Sequence, residues 1–199
     1  MPTPFAQEIV ADANYWFARG CRETSRNSGP CVDEILDRFN GNIFSTQAWC
    51  SKFVWVCADR AAQRVGVRNP LPKTASTVAM LNGAKANGLA VDTTPAFGSV
   101  FFYSRGKGLG HVGIIVGFEG ADAITIEGNT GLTGGGEGVG RRRRSLADIR
   151  SGKNVFRIIH TEAIGGTAQA GAVLAGINPW VALAIAGAAG YMIYDHLST

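Results

Sequence analysis

Two hydrophobic periodicities divide the chain near Pro95. Before it, apolar residues recur every three to four positions, the repeat of a helix with one buried face. Phe5, Ile9, Ala13, Trp16 and Phe17 mark such a face over residues 5–19, and Gly20 ends it. A polar stretch, Cys21 to Gly29, reads as a loop. Pro30 suits a first helical turn, with Val32, Ile35, Leu36 and Phe39 on one face and Asn40-Gly41 as the stop. Ser45 and Thr46 are candidate N-caps for a third helix, in which Trp49, Phe53, Val56 and Ala61 recur until Gly66. A loop bounded by prolines, residues 69–73, leads to a fourth helix over residues 74–87.

Beyond Pro95 the repeat becomes two, that of a half-buried strand. Ser99–Tyr103, His111–Gly117 and Ala121–Glu127 read as strands, the last two joined by a tight turn at residues 118–120. A glycine-rich loop is expected over Gly131–Gly140. Ser145, with Asp148 three residues on, opens a short helix, and Val155–His160 is a last strand. Helices first and strands afterwards predict an α+β fold, with N-terminal helices packed on an antiparallel sheet.

Residues 163–199 follow neither pattern. Ala170–Tyr194 carries no charge over 25 residues, long enough to cross a bilayer. Trp180, Tyr191 and Tyr194 suit an interface, and Ala182, Ala186 and Gly190 have the spacing of close helix contacts. Asn178-Pro179 interrupts the run, so burial against other protein is the competing expectation. The reading is a domain at 1–162 and an apolar, Ala/Gly-rich helical tail at 163–199, with membrane contact through 170–194.

Charge and cysteine usage narrow the classes. The net charge of +4 comes largely from one block, Arg141–Arg144, so basicity is local and no nucleic-acid partner is expected. That block reads as a strand or loop edge alternating in and out of the sheet, or as a surface for an anionic polymer or lipid. Met1-Pro-Thr-Pro does not resemble a Sec-type signal. Four cysteines at this length make no disulfide scaffold. Cys50 and Cys57 are too far apart along one helix to bridge, while Cys21 and Cys31 can pair in an oxidising space. Neither CxxC nor HxxxH spacing occurs, so no metal and no cofactor are expected.

Cys50 lies in the first turns of this third helix, where the partial positive charge of the helix terminus favours a thiolate and unpaired N–H groups can hold an oxyanion. His111 opens Gly110-His-Val-Gly-Ile-Ile-Val-Gly117 and shares a face with Gly113, which leaves room for a close approach. In an antiparallel hairpin opposed residues have a constant numerical sum, and a turn at Glu119–Gly120 makes it 238 to 240. His111 then faces a point between Glu127 and Asn129, either of which can orient an imidazole. Cys50, His111, Glu127 and Asn129 are thus the candidates for a nucleophile, a base and its orienting partners.

Four stretches carry a resemblance. They are Trp49-Cys50-Ser51-Lys52-Phe53-Val54, Pro95–Tyr103, Gly110–Gly117 and Ile126-Glu-Gly-Asn-Thr130. In this order the chain resembles a CHAP domain (cysteine, histidine-dependent amidohydrolase/peptidase), of the NlpC-type, papain-like group. Arg22-Glu23-Thr24 with Asn27 and Gly29 looks like the opening segment of phage and prophage members. Gly98-Ser99 departs from the Gly-Asp common in such domains. The resemblance covers residues 5–160 and implies Cys50 as nucleophile, His111 as general base, Glu127 as the orienting residue and Asn129 as a second polar group. It implies a phage-related peptidoglycan hydrolase, an amidase or endopeptidase acting on the stem peptide. It would be carried in the virion with tail or ejection proteins and would act at the host periplasm and wall. A free endolysin, a non-catalytic virion or injection component and an injected toxin are the alternatives.

Overall fold

Thr3 and Pro4 open the first helix as capping chemistry dictates. The Thr3 hydroxyl accepts from the Ala6 N–H at 3.2 Å, and Pro4 occupies a position whose N–H would be unpaired anyway. The structure is a computed structural model and describes residues 1–40 and 48–164. Its helices are α1 (Pro4–Ala18), α2 (Pro30–Asn40), α3 (Cys50–Val65), α4 (Thr77–Ala86) and α5 (Leu146–Arg150). Its strands are β1 (Val91–Asp92), β2 (Val100–Gly106), β3 (Leu109–Glu119), β4 (Asp122–Gly131), β5 (Glu137–Ser145) and β6 (Arg157–Ile159). They form one antiparallel sheet in the order β1-β6-β2-β3-β4-β5. The fold class is α+β, as the change of period predicts.

Alternation along the strands decides what each sheet face meets. Val100, Phe102, Val112, Ile114 and Ile126 belong to the main core with residues of α1, α2, α3 and α4. Phe101, Ile115, Ala123 and Ile158 join Ile149 of α5 and Phe156 in a smaller cluster. Both faces of the sheet are therefore covered. Ile164 is still part of the core, and Met1–Ile164 form one compact unit. The apolar tail expected from residue 163, including 170–194, lies outside the described residues from 165 onward. Among the described residues no helix is long and apolar enough to cross a membrane.

Several boundaries differ from the sequence expectation. Helix α3 starts at Cys50 itself, with Trp49 in the cap position and no side-chain cap. Ser45 and Thr46 lie outside the described residues. The glycine-rich stretch is mostly strand, because β4 runs to Gly131 and β5 resumes at Glu137. The glycines in β5 serve packing rather than looping. At Gly138 a side chain would collide with the Cys21 carbonyl, and the missing one lets residues 21–23 pair with β5. Strand β1, two residues long, has no period to reveal it.

Cys21 and Cys31 are disulfide-bonded, with Cα atoms 5.2 Å apart. The bridge joins the exit of α1 to the start of α2 and anchors the segment that covers β5. A second clasp joins α1 to α3. The Asp12 carboxylate is fully buried and takes bonds from Arg60 Nε at 2.6 Å, Arg64 Nη2 at 2.8 Å and Trp16 Nε1 at 3.0 Å. Beside it, burial first and then the Asp12 charge push the Cys57 thiol well above its ordinary pKa, so Cys57 is a neutral core residue. Replacing Asp12 by Ala removes the carboxylate partner of Arg60 and the acceptor of the Trp16 indole, while Arg64 keeps Glu8. The expected loss is about 2–3 kcal/mol, read as a lower urea midpoint at unchanged slope, with Asp12→Asn losing less.

Candidate active site

The site is built where the first residue of α3 meets strands β3 and β4. Cys50 is 3% exposed and His111 3% exposed. The imidazole hydrogen-bonds Glu127, and Cys50 lies close enough to act on its charge. Its Nε2 lies 2.8 Å from Glu127 Oε2, which leaves Nδ1 for the thiol. The structure thus brings Cys50, His111 and Glu127 into one row.

The strand register explains the meeting. Ile114 pairs with Ile126 and Ile115 with Thr125, a sum of 240 in both cases. The upper end of the expected range therefore holds at these pairs, and a bulge between Ile115 and Gly117 shifts it toward the turn. Continued the other way, this register sets Gly113 opposite Glu127, so His111 is the diagonal neighbour of the carboxylate, within reach of a long side chain. Gly113 is what opens the diagonal. A Cβ there would lie 2.7 Å from Glu127 Cγ and 2.6 Å from Phe101 Cε1. The room left by that glycine is filled by Glu127.

Asn129 does something different from what its position two residues on suggests. Its φ of 53° is left-handed, a conformation asparagine tolerates, and it sits where the pairing of β4 with β5 shifts register. Its side chain bonds the residue before Cys50 and two neighbouring carboxylates. Oδ1 accepts from the Trp49 N–H at 3.0 Å, while Nδ2 donates to Glu137 and, at 3.3 Å, to Glu23. Asn129 thus holds the residue that precedes Cys50, while of the two positions opposite His111 it is Glu127 that bonds the imidazole. Glu23 also takes the Trp49 indole N–H at 2.8 Å, so the segment anchored by the disulfide steadies the same helix start. Gly128 lets α3 come close, since a Cβ there would lie 2.5 Å from Phe53 Cβ and 2.7 Å from Trp49 Cζ3.

Sequence reasoning missed Arg144. Its Nε lies 2.9 Å from Glu127 Oε1 and its Nη2 2.6 Å from Oε2, a bidentate pair, and its guanidinium stacks on Phe101 and Tyr103 at 5.3 and 5.2 Å. Thr125 Oγ1 adds a 2.6 Å bond to Oε1. The available signal was parity: Arg144 and Glu127 both lie on the His111 face once β4 and β5 are paired. The arginine block is thus the alternating edge strand of the structural reading, with one member turned inward.

Electrostatics follow from burial and pairing. Burial pushes the Glu127 pKa up, but hydrogen bonds from His111 and Arg144 outweigh it and hold the carboxyl at about 2. Burial lowers His111, yet the interactions with Cys50 and Glu127 prevail and the imidazole is raised above 6.5. An imidazolium, a carboxylate and a guanidinium can therefore alternate along the row beside Cys50. Among the described residues no group of three or more His, Cys, Asp or Glu is placed to hold a metal.

Folding lowers the Glu127 pKa from an ordinary 4.5 to about 2. The stabilisation is complete above pH 4.5 and disappears as pH falls toward 2; by linkage it is on the order of 3 kcal/mol. The His111 contribution has the opposite sense, full below 6.5 and lost as pH rises past the raised value. Arg144→Gln should move acid unfolding to higher pH, and Glu127→Gln should lower the imidazole pKa in an NMR titration. An unchanged imidazole in Glu127→Gln would break the pairing assignment.

A family model described as the CHAP domain matches residues 42–129, a stretch that contains Cys50, His111, Glu127 and Asn129. Among solved structures, the crystal structure of Ly7917 resembles the chain at 19% identity and a TM-score of 0.41, over 77% of this chain and 62% of that one. The crystal structure of Ly7917 with the hydrolyzing product of MDP aligns at 29% identity and a TM-score of 0.28, over 38% of this chain and 32% of the other. The chain spans less than two thirds of the length of either. A comparison with curated proteins finds no match. The sequence match and the residues Cys50, His111 and Glu127 fall on the same stretch, so residues 42–129 are similar to the CHAP domain.

Proposed function

We propose that the chain is a peptidoglycan hydrolase of the cysteine type, cleaving an amide bond in the peptide part of the wall. The observation that carries this reading is the buried His111–Glu127 pair, locked by Arg144 and set beside Cys50 at the start of α3.

The chemistry is acyl transfer. His111 takes the Cys50 proton, and the thiolate attacks the scissile carbonyl carbon. The oxyanion faces the N-terminal turn of α3, whose cap position offers no competing side-chain acceptor. As the tetrahedral intermediate collapses, the C–N bond breaks and the imidazolium gives its proton to the leaving amine. Water, deprotonated by His111, then attacks the thioester; the acid leaves and the thiol recovers its proton. Glu127 stays ionised throughout, fixing the ring and stabilising its charged form. The bond is the muramoyl–alanine amide or a peptide bond of the stem or cross-bridge.

On this reading the protein works outside a reducing cytoplasm, which agrees with the Cys21–Cys31 bridge. The likeness of the Arg22–Gly29 segment to phage members extends the proposal to a virion-carried enzyme acting at the host wall, with tail or ejection proteins as partners.

Full-length protein is expected to clear a peptidoglycan zymogram, with the bond identified by mass spectrometry of the fragments. Cys50→Ala should fold with an unchanged circular dichroism spectrum and lose activity by about 10³-fold or more. Clearing by that variant would remove Cys50 as nucleophile. A well-folded wild type inert on several wall chemotypes would favour a non-catalytic role.

A further inference from the structure

The arginine block divides into two pairs by what its members meet. Arg143 reaches Glu119 and Asp122, and Arg144 grips Glu127. Arg141 and Arg142 pair with no carboxylate among the described residues. Arg141 donates to Asn14 Oδ1 at 3.3 Å and stacks on the Phe17 ring at 5.0 Å, while Arg142 Nε donates to Thr130 Oγ1 at 3.4 Å. A third arginine joins them from a distant part of the chain. Arg22 donates to the Gly135 carbonyl at 2.9 Å and likewise meets no described acid.

All three line one open cleft of about 470 Å³ beside β5, with Phe17, Leu132 and Val139 contributing apolar wall. No acidic residue lines it. The carboxylates of the adjoining segments are engaged elsewhere: Glu23 takes Trp49, Asn27 and Asn129, and Glu137 takes Asn129. Each guanidinium is oriented by a neutral partner that uses few of its five N–H donors and none of its charge. Three like charges along one cleft without a counter-charge repel one another, and an oxyanion in the cleft relieves that repulsion while accepting charge-assisted bonds.

We infer that this cleft is an oxyanion-binding site for a phosphate or carboxylate group on an extended ligand whose apolar part lies against Phe17 and Leu132. It is separate from the reacting atoms yet adjacent in sequence to the site, since Thr130 both accepts from Arg142 and donates toward Glu127 at 3.4 Å. Identifying the anion as one of the bacterial wall rests on the hydrolase reading; the site itself does not. Two sources share the chemistry, the phosphates of an anionic wall polymer and the free carboxylates of a stem peptide.

The test is a titration of the full-length protein with inorganic phosphate and, separately, with N-acetyl-D-alanine, followed by calorimetry and by the amide NMR signals of Gly131 and Gly140. Saturable binding of either probe, with those signals shifting, is the expected result. Phosphate alone would identify the polymer as source, and the carboxylate probe the peptide. Arg141→Gln/Arg142→Gln should weaken binding by about tenfold or more, and Arg143→Gln should leave it unchanged. Should the double variant fail to fold, Arg22→Gln at the exposed rim should still weaken binding several-fold. Binding that is absent, that leaves Gly131 and Gly140 unmoved, or that survives loss of these arginines overturns the site. Cys50→Ala separates the two proposals: it should bind the probes as wild type does, whatever the fate of the hydrolase reading.

Discussion

A carboxylate with no access to solvent is the constraint around which the site is arranged. Left alone, Glu127 would take up a proton and lose the ability to stabilise an imidazolium. It stays ionised because donors reach it from separate elements: His111 on β3, Thr125 on its own strand and Arg144 on β5. Each donor sits on the same sheet face by strand parity. The sheet fixes the charge, and the charge fixes the ring that meets Cys50.

The helix layer is matched to that ring by contacts that do no chemistry. Gly128 removes the side chain that would hold α3 away from β4. Asn129, turned by its left-handed backbone, grips the N–H of Trp49. Glu23, on the segment anchored by the Cys21–Cys31 bridge, takes the indole of the same tryptophan. Cys50 is consequently held from the strand side and from the N-terminal segment, while Asp12 ties α3 to α1 near its other end. Precision at the sulfur comes from these supports, since a misplaced nucleophile forfeits much of what proximity supplies.

The arginine run on β5 shows how one short sequence carries unlike roles. Its members alternate across an edge strand, so neighbours in sequence meet different surroundings. Arg144 turns toward Glu127 and Arg143 toward acids of the β3–β4 hairpin, while Arg141 meets Asn14 and Phe17 of α1 and Arg142 meets Thr130, both bordering the cleft that Arg22 shares. Charge density alone does not separate these environments; the pairing partner of each strand position does.

The sequence by itself determined the order of elements, because the change from a repeat of three to four to a repeat of two is a local property of the chain. It also determined the Cys50 and His111–Glu127 motifs and, through a constant sum across one hairpin, which strand residues would be neighbours. Only the tertiary structure decided that His111 takes Glu127 on the diagonal while Asn129 turns to the helix, since a left-handed residue at a register shift leaves no mark in period or composition. Arg144 depended on the fold for the same reason. Its partner lies 17 residues away across a strand pair whose register the glycine-rich stretch concealed. Burial of a charge is a decision made by several elements together, and no single stretch of the chain contains it.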